Sequence, residues 1–157
     1  MVEEVDVTKI LDFDLINLSL NATSKDEVIH ELSELLLKKK CISDLNGFIS
    51  DVYLREQEGI TGMGNNVAIP HGKSKDVVHP SIAIGRTNHM IEWESYDNQP
   101  VQLFFLFAVP DDTAGAKMHL KLLSQIASKL ANEAILEKLK KVSSKSEFIN
   151  ILSNENE

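Results

Sequence analysis

Val101-Gln102-Leu103-Phe104-Phe105-Leu106-Phe107-Ala108-Val109 is the stretch on which the fold turns. It is apolar almost without interruption, so no alternation leaves one side for water. It is also far short of the ~20 residues that a membrane-crossing helix needs. The run therefore reads as a central β-strand covered on both faces. Pro110 and Asp111-Asp112-Thr113 end it and lead into a helix expected from about Ala114 to Ala131.

Working outward, Ile16-Asn17-Leu18-Ser19-Leu20 alternates like a strand. Ser24-Lys25-Asp26-Glu27 has the form of a capping box, opening a helix with the stripe Val28, Leu32, Leu35 and Leu36. Ser43 or Asp44 can cap a second helix, which carries Leu45, Phe48, Ile49 and Val52 and should stop before Gly59. Val67–Ile69 and Ser81–Arg86 are further strand candidates ahead of the 101–109 strand. After the long helix come a shorter one, from Glu133 to Val142 with Asn132 as its cap, and a terminal one opened by Ser144-Lys145-Ser146-Glu147. The order is β-α-α-β-β-β-α-α-α, an α+β (mixed α/β) chain with helices packed on a central sheet.

Length and composition agree with one globular unit over residues 1–157, as no repeat, low-complexity tract or linker divides the chain. A formal net charge of −8 argues against a nucleic-acid partner, which would call for a basic face. Met1–Asp6 lacks the basic start and apolar core of a signal peptide. A single cysteine, Cys41, forms no internal disulfide, which fits a reducing cytoplasm. Glu27, His30, Glu31 and Glu34 share a helix face, but a di-metal site needs a second Glu-x-x-His helix, and none is present. His79 and His89 have no carboxylate at ligand spacing, so neither a metal nor another cofactor is expected.

The chemistry concentrates in Ile69-Pro70-His71-Gly72-Lys73 and the segment before it, Arg55-Glu56-Gln57-Glu58-Gly59-Ile60-Thr61-Gly62-Met63-Gly64-Asn65-Asn66. Pro70 fixes φ and lacks an N–H, and Gly72 is conformationally permissive, so His71 is expected where the chain leaves a strand. Glycine-rich backbone beside an arginine suits a dianion, because amides and a guanidinium can share its oxygens. A lone histidine after a strand is more often structural, and the glycines match neither the dinucleotide nor the P-loop fingerprint. The whole run from Arg55 to Lys73, however, closely resembles the active-site segment of the fructose/mannitol-type (type 2) IIA domains of the bacterial phosphoenolpyruvate:sugar phosphotransferase system. There an arginine, a Thr-Gly loop and an Ile-Pro-His-Gly segment follow in this order.

The resemblance implies a three-layer α/β/α sandwich around a mixed sheet. It also implies that His71 is a phosphoacceptor, with Arg55 and the loop residues Thr61, Gly62 and Gly72 around the phosphoryl group. His119 shares the inward stripe of its helix with Leu122, Leu123, Ile126 and Leu130, so spacing alone reads it as a core histidine. The family carries a second active-site histidine in this helix, which makes His119 the expected hydrogen-bond donor to the phosphoryl oxygens. Thr61 either adds a hydroxyl or caps the turn. The implied partners are HPr as donor, with a IIB cysteine as acceptor and a membrane IIC unit, both outside this chain. Cys41 follows three lysines and has no phosphate-binding loop, so it reads as a packed thiol. Met63, Met118 and the pair Asp111-Asp112 are the candidates for a docking rim. Nitrogen-type regulatory IIA proteins share the domain, and the sugar itself is not legible here.

Overall fold

The computed structural model describes residues 10–153, so the stretch Met1–Asp6 lies outside it. A 3-10 turn, Phe13–Leu15, leads into β1 (Ile16–Asn17), α1 (Lys25–Lys38) and α2 (Leu45–Glu58). Then follow β2 (Gly62–Gly64), β3 (Val67–Ala68), β4 (His71–Ser74), β5 (Ser81–Ile91) and β6 (Val101–Pro110). Helices α3 (Thr113–Leu130), α4 (Glu133–Lys141) and α5 (Lys145–Ser153) complete the chain. The sheet is mixed. Its order is β1-β5-β6-β3-β2, with β4 also on β6; β5 runs antiparallel to β6, and β3 and β4 run parallel to it.

The 101–109 strand is central, as its composition demands. Phe104, Leu106 and Ala108 enter one core with α1 and α2, while Leu103, Phe105, Phe107 and Val109 enter a second with α3, α4 and α5. Three layers result. Ser24 caps α1 by accepting from the Glu27 N–H, but the Glu27 carboxylate takes the Thr23 N–H and hydroxyl, one residue earlier than a capping box predicts. Asp44, not Ser43, caps α2. Asp112 and Asn132 cap α3 and α4.

Three stretches differ from the sequence reading. The expected strand Ile16–Leu20 is regular only over Ile16–Asn17, after which the Asn17 carboxamide accepts the Ser19 N–H and turns the chain. More consequentially, the loop expected before His71 is a β-hairpin. Gly62 pairs with Ala68 and Gly64 with Val67. Between them Asn65 and Asn66 both have positive φ (57° and 70°), the backbone of a two-residue type I′ turn.

His71 does not leave regular structure either. Val67↔Leu103, His71↔Phe107 and Ser74↔Pro110 keep one register along β6. Strands β3 and β4 are thus a single strand interrupted at Pro70, which has no N–H to give but still accepts from the Phe107 N–H at 2.9 Å.

Candidate functional site

Alternation along this broken strand decides where His71 points. Val67 and Ile69 face the α3 side, and a strand places residues two apart on one face, so His71 follows them. Gly72 takes the opposite face, where a Cβ would collide with the Phe48 ring and with Val52 of α2. Gly72 is therefore required for close packing of α2 on β4.

On the α3 face the two imidazoles meet. The His71 and His119 ring centroids are 4.6 Å apart in an edge-on arrangement, and each ring also lies against Phe107, at 6.0 and 5.4 Å. His119 is in the second turn of α3, one turn before the buried Leu122. Both rings are half-buried. The His71 Nδ1 and the His119 Nε2 are sealed from solvent without a hydrogen-bond partner, an arrangement rare for buried polar atoms.

Burial lowers the pKa of His71, and the Arg55 cation lowers it further. The carbonyls of Pro70 and Ile69 act in the opposite sense, although neither makes a regular hydrogen bond to Nδ1. His119 is pushed down to about 4, first by burial and then by His71, Arg55 and Lys73. Both rings are neutral at pH 7, so each offers a free lone pair. Arg55 reaches this field from the last turn of α2, where its Nη1 donates to the Gly59 carbonyl at 3.2 Å.

The Thr61-Gly62 step is engaged elsewhere. The Thr61 hydroxyl donates to Glu56 Oε2 at 2.6 Å and accepts from Trp93 Nε1 at 3.1 Å. The Gly62 N–H donates to the Glu94 carbonyl, and a Cβ on Gly62 would meet Glu94 and Ser95. Both bonds of the Thr61 hydroxyl go to side chains, Glu56 of α2 and Trp93 beyond β5, and neither caps a turn. Glu56 and Trp93 went unremarked in the sequence, since nothing local marks a carboxylate that becomes buried.

The family model described as "Phosphoenolpyruvate-dependent sugar phosphotransferase system, EIIA 2" matches residues 9–155. The chain belongs to this EIIA 2 family. A fructose-specific EIIABC component of Bacillus subtilis is 33% identical over 148 residues, 94% of this chain. The chain spans only 23% of that relative's length. Among solved structures, the nitrogen regulatory protein IIA-Ntr of Neisseria meningitidis matches with a TM-score of 0.84 at 33% identity, over 93% of this chain and 98% of that one. The complex of enzyme IIA-mannitol with phosphorylated enzyme IIB-mannitol from Escherichia coli shares the fold, with a TM-score of 0.77 at 20% identity over 91% and 96% of the chains. EIIA 2 relatives thus include both sugar-specific and nitrogen-regulatory proteins.

The remaining candidates take ordinary places in this EIIA 2 chain. His30 pairs with Glu34 at 3.1 Å on the exposed face of α1. Cys41 is buried, and that burial raises its thiol pKa. Asp112 spends a carboxylate oxygen on the Gly115 N–H at 2.6 Å, and Met118 packs partly into the α3-side core. Met63 stays exposed, joined by Leu54, Ile60 and Leu120, which flank Arg55, Thr61 and His119 in sequence. Among the described residues, no group of three His, Cys, Asp or Glu side chains is arranged to hold a metal ion. No helix there is long and apolar enough to cross a membrane.

Proposed function

We propose that this chain is a phosphohistidine carrier, in which His71 accepts a phosphoryl group from phospho-HPr and passes it to a IIB cysteine serving a fructose/mannitol-class sugar. One observation carries the reading: a neutral, partly exposed imidazole faces a second neutral imidazole at 4.6 Å, in the field of the Arg55 cation. With Nδ1 sealed, Nε2 is the His71 atom left to react. Its lone pair attacks phosphorus as the bond from phosphorus to the donor imidazole breaks, so one nitrogen–phosphorus bond replaces another. Little covalent work is left to the protein beyond alignment and charge stabilisation. Arg55 supplies a fork for two phosphoryl oxygens, and the His119 imidazole, 4.6 Å from His71 between ring centroids, gives a hydrogen bond to a third. Because the Thr61 hydroxyl and Gly62 amide are already bonded, those two residues shape the segment rather than hold the phosphate.

HPr, IIB and IIC are partners on this reading, and the relay runs in the cytoplasm. The bound pair of IIA-mannitol and phosphorylated IIB-mannitol supports IIB as the acceptor. A second reading, a nitrogen-type regulator, has its support in the likeness to IIA-Ntr at 33% identity. Incubation with phosphoenolpyruvate, enzyme I and HPr should give a labelled protein whose label is acid-labile and alkali-stable. Adding IIB should then discharge it. A label that forms but resists every sugar-type IIB would favour the regulator, and no label would end both readings.

A further inference from the structure

Where α1 and α2 meet residues 61 and 93–94 lies a polar cluster, buried at Glu56, Thr61 and Trp93, that the relay does not use. The Glu56 side chain is only 7% exposed; it accepts from the Thr61 hydroxyl and pairs with Lys25 Nζ at 2.7 Å. Lys25 also bonds Glu94 at 2.9 Å and sits 4.9 Å over the Trp93 ring, whose Nε1 donates to Thr61. Burial works against the Lys25 ammonium, yet its bonds to Glu56 and Glu94 prevail and raise its pKa. One carboxylate thereby ties the start of α1, the last turn of α2 and residue 61.

We infer that Glu56 is a positioning residue, which sets Arg55 and the His71 strand relative to each other; the inference rests on the phosphocarrier reading. Glu56 directly follows Arg55 in the same helical turn, so fixing its carboxylate fixes the stem from which the guanidinium extends. On its other side the cluster holds Thr61, whose carbonyl accepts the Ile69 N–H at 2.9 Å. Ile69 is two residues before His71 and on the same face. The path from Arg55 to His71 therefore passes through one charged side chain. Stability is a poor reason for a buried ion pair, since apolar residues of similar volume often serve as well or better. A bond that fixes two reacting groups needs direction, which apolar contact lacks.

The test is the initial rate of phosphoryl transfer from phospho-HPr at a series of donor concentrations, for Glu56→Gln and Thr61→Val. Glu56→Gln keeps shape and an acceptor for Thr61 but loses the charge that holds Lys25. Thr61→Val keeps shape and loses the hydroxyl that links Glu56 to Trp93. Each should cut the maximal rate about tenfold and leave the KM for donor within about twofold. Because Glu56 acts partly through Arg55, combining Glu56→Gln with Arg55→Ala should cost several-fold less than the product of the separate losses. Parent-like rates in both variants, or a fully multiplicative double variant, would overturn the inference. If the parent takes no phosphoryl group, the relay reading fails separately, and amide exchange at Ile69 decides the point. At least about a tenfold loss of protection in either variant supports positioning, and unchanged protection rejects it.

Discussion

Adjacent residues of one strand show how differently the two faces of this sheet are used. At Gly72 the α2 side is closed so tightly that a single Cβ would overlap Phe48 and Val52. At His71 the α3 side ends in two imidazoles with sealed, unpartnered nitrogens. The first face is packed to completion, which makes β4 stiff. The second leaves hydrogen-bonding capacity unspent. On the phosphocarrier reading, close packing on one side aims the group that reacts on the other.

The largest effect expected is on the open face. His71→Ala should abolish labelling from phospho-HPr and leave the thermal midpoint near that of the parent, because the partly exposed ring belongs to neither core. Persistent labelling, read by mass or radiolabel, would break the contrast at its centre. His119→Ala should still permit labelling but slow transfer on the order of a hundredfold. The basis is that losing one preorganised donor to a developing oxyanion costs ~2.7–4 kcal/mol. A parent-like rate in stopped-flow transfer would remove His119 from the site.

On the closed face, Gly72→Ala should destabilise the fold by about 1–3 kcal/mol through overpacking against α2, measured by urea unfolding. Transfer rates should fall less than for His119→Ala. An unaffected midpoint would mean that α2 can retreat from β4 at no cost, and the two faces would no longer differ in the way described.

The smallest effect sharpens the comparison through pH. The unfolded chain holds histidines near 6.5, whereas folded His119 titrates at about 4. Across that interval the unfolded state binds more protons, so stability rises with pH. The contribution is complete above about pH 6.5 and is lost as pH falls towards 4. Solvent screening at a half-buried ring limits it to about 1 kcal/mol. His119→Gln should flatten the stability profile between these values, and an identical slope would show that the ring is not held neutral by the fold.

Much of this was readable in the residues themselves. The apolar 101–109 run placed the central strand, caps at Ser24 and Asn132 placed two helix starts, and the resemblance carried by the Arg55–Lys73 segment pointed to His71. The hairpin before His71 was missed, although the pair Asn65-Asn66 carries a local sign of it, since asparagine is among the residues that favour the positive φ of a type I′ turn. Pro70 misled in the opposite direction: a missing donor normally ends a strand, but here the register along β6 continues past it.

Sequence alone determined what local chemistry decides: helix phase, capping and the apolar strand. Those properties depend on residues within a turn or two of each other. Only the tertiary structure decided that His119 meets His71, that Gly72 excludes a Cβ, and that the Thr61 hydroxyl is occupied by Glu56 and Trp93. Each depends on side chains brought together from separate elements, and whether a polar atom is left free or satisfied is settled only when its distant neighbours arrive.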